Sequence, residues 1–241
     1  MNSKIVLLFV LIVCFVCLCQ SKLSKKIRKQ VAKQQNKVRS KVAKGKFANG
    51  TSGTNLPKAG NMMQLAYSKL LEKNANVIAK NCYIFQVSGV NYFVAAGTVK
   101  PGAALKNATS TWAAELNGNA TLPSLKYSAS SSNGTSISNF TQLIWAKSKL
   151  VGCSVQNCAS GVNGSSITGA STLVVCQYTP EGNQDGKAIY KKSKKPGQKC
   201  PKKTKRTKSG LCKAKKTKLN FNGGSVSCQQ VCKALGTCTC N

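Results

Sequence analysis

The sequence predicts an α+β fold that ends in a basic, cysteine-rich tail, and three observations carry that expectation. Helix-period apolar stripes dominate the first half of the chain, and two short β-branched apolar runs come after them. Near Gly182 the apolar pattern stops and a lysine run begins. Helices followed by strands, rather than alternating with them, read as α+β.

Residues 1–19 read as a secretory signal peptide. Lys4 supplies the charged end, Ile5–Cys19 the apolar stretch, and small Cys17 and Cys19 precede a cleavage point after Cys19 or Ser21. The apolar stretch, about 15 residues, falls short of the roughly 20 that a membrane span needs. No second such run follows, so the expectation is a secreted, extracellular chain with no transmembrane segment.

Lys22–Ala43 has helical periodicity, with Leu23, Ile27, Val31, Val38 and Val42 spaced by four and seven. Gln35 completes that stripe and is expected to face inward although it is polar. Gly45–Pro57 reads as a loop. Asn61 reads as the N-cap of a second helix whose inner face carries Met63, Ala66, Tyr67, Leu70, Leu71, Ile78 and Cys82. A third helix is expected from about Gly102 to Leu116, with Leu105, Trp112 and Leu116 on one side.

Polar, Ser-rich Leu122–Ser136 is expected to be a surface loop. Ser138 is expected to cap a short helix carrying Phe140, Leu143, Ile144 and Trp145. Leu150–Val155 and Thr172–Tyr178 are the strand candidates, joined by the Gly/Ser/Asn-rich loop Ala159–Ala170. Lys187–Lys218 offers almost no core-forming residues, and Gly223–Asn241 packs four cysteines into a short segment that depends on crosslinks for order.

The formal net charge is +33, from 37 basic and 4 acidic residues. Eleven basic residues fall in Lys22–Lys46 and fifteen in Lys187–Lys218, so the charge sits at the two ends. Such self-repulsion is tolerable where the ends are solvated or meet polyanions. Two readings therefore stay open for the tail residues Lys191, Lys192, Lys194, Lys195, Lys202, Lys203, Lys205 and Arg206. They keep a secreted protein soluble, or, together with the lysine-rich first helix, they grip a glycosaminoglycan such as heparan sulfate, an anionic lipid or a microbial surface. Nucleic acid is a poor partner, because the runs lack the interleaved aromatics that stack on bases.

Cleavage would remove Cys14, Cys17 and Cys19 and leave ten cysteines, an even number that favours disulfides in an oxidising compartment. Zinc is the weaker reading, since no Cys-X-X-Cys pair recurs. Sequons begin at Asn49, Asn107, Asn119, Asn133, Asn139 and Asn163. The chain has no histidine at all, which excludes a histidine-based triad or general base.

Five ordered motifs resemble the CAP superfamily of cysteine-rich secretory proteins, antigen 5 and plant pathogenesis-related 1 proteins. Ser138-Asn139-Phe140-Thr141-Gln142-Leu143-Ile144-Trp145 resembles the family's Gly-His-Tyr-Thr-Gln-Val-Val-Trp signature, without the Gly and the His. Val174-Val175-Cys176-Gln177-Tyr178-Thr179-Pro180-Glu181-Gly182-Asn183 resembles its second signature. Gln35-Asn36-Lys37-Val38-Arg39-Ser40 stands where the family has His-Asn-X-X-Arg-Ser. Leu56–Met62 resembles the lead into the second helix, and Thr111–Leu116 the Trp-X-X-Glu-Leu helix. The worm venom-allergen-like branch is the most similar, and Lys195–Pro201 and Ser209–Cys212 resemble a reduced form of its cysteine-rich hinge.

The resemblance implies a three-layer α-β-α sandwich with a small antiparallel sheet over Lys22–Tyr190, followed by a lysine- and cysteine-rich extension, Lys191–Asn241. It also implies the disulfides Cys82–Cys158 and Cys153–Cys176. Pairing of the six later cysteines stays open among 15 arrangements. Many family members have a cleft with two histidines and two glutamates that in some cases holds a divalent metal. Here those positions are Gln35, Val90, Glu115 and Asn139, with Val90 taken from Gly89-Val90-Asn91. One carboxylate among amides makes a poor zinc site, so no cofactor and no enzymatic activity are expected. Glu115 is expected to bond to groups around the old cleft, including Gln35 and Asn139. The implied function is a secreted, non-enzymatic binding protein for a lipid, sterol or protein ligand, with immune modulation among the family's roles. A polyanion binder is the alternative.

Overall fold

The computed structural model describes residues 23–116, 120–129 and 136–214. The expected signal peptide, the sequons at Asn119 and Asn133 and the cysteines from Cys228 onward lie outside the described residues.

Helix α1 spans Lys25–Ala43 and starts at Ser24, whose hydroxyl accepts from the Ile27 N–H; such a cap stabilises a helix by about 1 kcal/mol. Its buried stripe is Val31, Gln35, Arg39, Val42 and Ala43, so Gln35 does face inward. Lys25, Lys29, Lys33, Lys37 and Lys41 line the solvent side at four-residue spacing, and together they occupy one helix face.

The second helix departs from expectation. Ala66–Tyr67 forms a short strand, β1, and helix α2 runs Lys69–Ala79 from an N-cap at Ser68, not Asn61. Ala66 and Tyr67 pair with Leu150 and Val151, which draws that segment into the sheet. Asn61 instead accepts from the Lys191 N–H. The buried face is Leu71, Ala75, Ile78 and Ala79, while Leu70 is 55% exposed. Cys82 lies past the helix end with φ 47, so it is not on the helical face.

Strand β2, Val90–Ala96, precedes helix α3, Pro101–Ala114. Helix α4 is Ser138–Leu143. Ser138 is its first residue rather than its cap, which is Ile137 without a side-chain bond. Strands β3 (Leu150–Cys158) and β4 (Ser171–Thr179) contain both strand candidates and extend them. A hairpin, β5 (Thr204–Arg206) and β6 (Cys212–Ala214), follows.

The main sheet has the order β1-β3-β4-β2. All its pairs are antiparallel except β1 with β3, so the expected antiparallel sheet carries one short parallel edge. Side chains alternate across a strand, and β4 uses both directions. Leu173 and Val175 pack with Ala75 and Ile78 of α2. Val174, Cys176 and Tyr178 pack with Val31, Leu105, Trp112 and Leu143 of α1, α3 and α4. That two-sided burial makes the three layers and explains the unbroken apolar run in β4. A Cβ on Gly152 of β3 would fall 2.2 Å from the Glu72 nitrogen, so this glycine sets how closely α2 approaches the sheet.

A further apolar cluster joins Val42, Leu56, Met62, Phe140 and Trp145 with Ile189, Tyr190 and Leu211. The expectation that core-forming residues end near Gly182 therefore fails. The Cys212 N–H donates to Met62 O at 2.8 Å, the Gln64 N–H to Cys212 O at 2.8 Å, and the Gly60 N–H to Lys191 O at 2.8 Å. Tyr190 marks a change in composition, not an end of packing. Leu122, expected in a surface loop, is also buried, its N–H donating to Asn49 Oδ1 at 2.7 Å.

Cys82 is bonded to Cys158 and Cys153 to Cys176, the latter pair directly opposite in the sheet. Cys200 is bonded to Cys212, one link that the sequence left open. Among the described residues, no helix is long and apolar enough to cross a membrane.

Candidate functional site

The motif Gln35–Ser40 lies on α1 and splits between two jobs. Asn36 pairs with the Leu65 backbone in both directions, each bond 2.8 Å. Arg39 is fully buried and donates to the carbonyls of Met63, Leu143, Trp145, Ala146 and Ser148. Burial pushes its pKa down to about 9, which still leaves it protonated at neutral pH. The guanidinium thus ties α1 to the turn after α4 and to the chain leading into β1. Leaving several buried carbonyls without a donor costs about 1–3 kcal/mol each.

Gln35 does not meet Glu115. Its amide nitrogen Nε2 lies 3.9 Å from Cys176 Sγ, and the side chain sits beside Tyr178, whose phenol pKa is raised by burial. Glu115 follows directly on α3 as its C-cap. Both its oxygens are engaged: Asn139 Nδ2 donates to Oε1 at 2.7 Å and the Phe140 N–H to Oε2 at 2.8 Å. Asn139 Oδ1 accepts from the Tyr92 N–H at 3.3 Å. Burial pushes the Glu115 carboxyl up to about 7, against the downward pull of the Asn139 and Phe140 donors.

Val90 is not at this site. It packs with the α2-side cluster, and its neighbour Asn91 points the other way, donating to Asn139 O at 2.8 Å. Strand alternation assigns the two residues to opposite faces. Of the four sequence-derived positions, the structure brings together Glu115 and Asn139 and adds Asn91. Among the described residues, no group of three or more His, Cys, Asp or Glu could hold a metal.

The remaining signature residues form a latch between α4 and the segment after β4. Gln142 Oε1 accepts from the Gly182 N–H at 2.8 Å. Thr141 donates to Asn183 Oδ1 at 2.7 Å, and Asn183 Nδ2 donates to Ser138 O at 2.7 Å.

On the outer face, a groove of about 670 Å³ runs along α1, lined by Lys25, Arg28, Lys29, Lys33, Lys37 and Lys69. Ser209 and Leu211 border it as well. Arg28 pairs with Glu72, which also accepts from Tyr67 OH at 2.6 Å. That is the one salt bridge among the described residues, so the lysines face the groove without a carboxylate partner. A second groove, about 450 Å³, lies between α1 and α3 over Val38, Phe47 and Ala113, with Lys37, Lys41 and Lys106 around it. Neither groove was legible as a site in the sequence, although the lysine spacing on α1 was visible. The tail residues Lys191, Lys192, Lys194, Lys195, Lys202, Lys203, Lys205 and Arg206 are all exposed.

The sequons separate by environment. Asn107 and Asn163 are exposed. The Asn49 amide is committed to the Leu122 backbone in both directions, as the Asn139 amide is to Glu115 and Tyr92.

Comparison with known proteins places these features in a family. The model of CAP, the cysteine-rich secretory protein family, matches residues 32–178. Scoloptoxin SSD43 of Scolopendra dehaani is 30% identical over 200 residues, covering 79% of this chain and 86% of that one. Venom allergen 5 of Vespa mandarinia is 28% identical over 182 residues, covering 71% and 83%. Among solved structures, NaASP2 with Zn2+ aligns with a TM-score of 0.67 at 29% identity, covering 80% of this chain and 97% of that one. BmVAL-1 aligns with a TM-score of 0.67 at 27% identity and covers 80% and 97%.

Proposed function

The chain belongs to the CAP family of cysteine-rich secretory proteins, in its venom-allergen-like branch, and from that premise we propose that it is a secreted protein that works by binding and not by catalysis. The observation that supports this reading is the engagement of Glu115. Its two oxygens already accept from Asn139 and Phe140, the strand residue beside them is the amide Asn91, which donates to Asn139 O, and Gln35 turns instead toward Cys176. NaASP2 is described with Zn2+. The donors here do not fit that ion, which takes thiolate, imidazole and carboxylate ligands.

A lipid or sterol ligand would find its apolar floor in the groove between α1 and α3, where Val38, Phe47 and Ala113 lie beneath lysines. Thermal-shift screening of the purified protein against lipids, sterols, glycosaminoglycans and metal ions tests the binding reading. Stabilisation by a lipid, sterol or glycan is expected. Stabilisation by zinc alone would overturn it.

The groove along α1 favours a second reading, a polyanion binder. Six cations line one concavity and a single carboxylate, Glu72, offsets them. A net positive field of this kind attracts an anion over a distance and raises its local concentration in the groove. Lysine-to-glutamine substitution at Lys29 and Lys33 is expected to lower the salt needed to elute the protein from heparin. Elution at the unchanged salt concentration would count against it.

A further inference from the structure

The two lysine-rich ends of the sequence, separated by some 140 mildly basic residues, meet in the folded chain. Ser40 near the C-terminal end of α1 donates to Ser209 O at 2.7 Å. Ser209 and Leu211 border the same groove as Lys25, Lys29, Lys33 and Lys37. A Cβ on Gly210 would touch Pro196 and the Lys44 side chain, so the loop lies directly against the end of α1. The loop is pinned from beneath by the Cys200–Cys212 disulfide and by Cys212 pairing with Met62 and Gln64. It exposes Lys202, Lys203, Lys205, Arg206 and Lys208.

We propose that the α1 groove and the loop 201–211 form one continuous binding site for a linear sulfated glycan. The inference rests on the polyanion reading above and adds the ligand's shape and the site's extent. The lysines from Lys25 to Lys37 span about 18 Å along the helix axis at 1.5 Å per residue, and the loop meets the helix just beyond them, at Ser40. A row of cations in a concave channel matches a chain of regularly spaced anions. A flat bilayer would meet the rim of the channel and leave its floor unused. A long glycan therefore neutralises both segments at once, and the disulfide acts as a positioning element that carries no charge itself.

The test measures affinity and stoichiometry for a heparin tetrasaccharide and a heparin dodecasaccharide on the full chain, over a range of salt. Three variants are compared: Lys25→Gln with Lys29→Gln, Lys33→Gln and Lys37→Gln; Lys202→Gln with Lys203→Gln and Lys205→Gln; and Cys200→Ser with Cys212→Ser. One dodecasaccharide should bind per chain. Either lysine variant should weaken it about tenfold and flatten its salt dependence, because each lost contact releases fewer counterions. The loop variant should leave the tetrasaccharide, which is too short to reach the loop from the groove, bound as before. The disulfide variant should weaken the dodecasaccharide with no charge altered, and the loop lysines supply the same information where that variant does not fold.

Two glycans per chain, or dodecasaccharide affinity indifferent to the loop lysines, would overturn the composite site and leave the polyanion reading standing. Absence of any heparin binding would remove that reading itself. Binding to phosphatidylserine vesicles with none to heparin would replace the glycan by a membrane surface.

Discussion

Asn139 donates its amide hydrogen to Glu115 at 2.7 Å and accepts the Tyr92 N–H at 3.3 Å. One side chain thus joins α4, the end of α3 and strand β2. At this family position a histidine would present a basic nitrogen to a metal or a proton. The amide presents neither and instead closes a hydrogen-bonded network around the nearest carboxylate.

That carboxylate gives the fold a pH dependence. Burial raises the Glu115 carboxyl to about 7, so the folded state holds a proton that the unfolded chain has already lost. Stability conferred by this group is full below about pH 4.5 and is lost as pH rises through 7, with a total of about 3–4 kcal/mol at about 1.4 kcal/mol per pH unit. Thermal melts from pH 5 to 8 should show Tm decreasing, in a chain with no histidine to contribute to that window. Glu115→Gln should flatten the slope. An unchanged slope in the variant would contradict the assignment.

Glycopeptide mapping of the secreted protein should find sugar at Asn107 and Asn163 and none at Asn49 or Asn139. A glycan on either of the latter would have to be accommodated on a nitrogen already held against Leu122 O or Glu115. Occupancy at Asn139 would break the network just described.

Truncation after Tyr190 should destabilise the fold. It would remove buried Leu211 and Cys212 and strip partners from the backbone of Gly60, Met62 and Gln64. The loss is on the order of 2–4 kcal/mol, from one apolar side chain and a few backbone hydrogen bonds. A truncated chain that melts at the full-length temperature would show that these contacts contribute nothing.

Much of the fold was legible because periodic burial leaves periodic sequence. The α1 stripe, polar Gln35 included, and the β3 and β4 runs are of that kind. The start of α2 was not, because Ala66 and Tyr67 fit a helical face as well as a strand, and only Leu150 and Val151, far along the chain, settle the choice. Ile189, Tyr190, Leu211 and Cys212 are too scattered among lysines to show a period, yet pairing and a disulfide carry Leu211 and Cys212 into the core. At the site, motif alignment found Glu115 and Asn139 but chose Val90 over Asn91, a difference of one residue that in a strand means opposite faces. The basic groove was invisible as a unit because its walls come from residues 25–40, 64–69 and 209–211.

The claim that binding has replaced metal chemistry in this chain is tested most directly by titrating zinc into the folded, purified protein at neutral pH and following the heat. With Glu115 engaged by Asn139 and Phe140 and no imidazole in the chain, the account predicts no saturable heat beyond dilution. A stoichiometric site with sub-micromolar Kd, lost in Glu115→Gln, would contradict it.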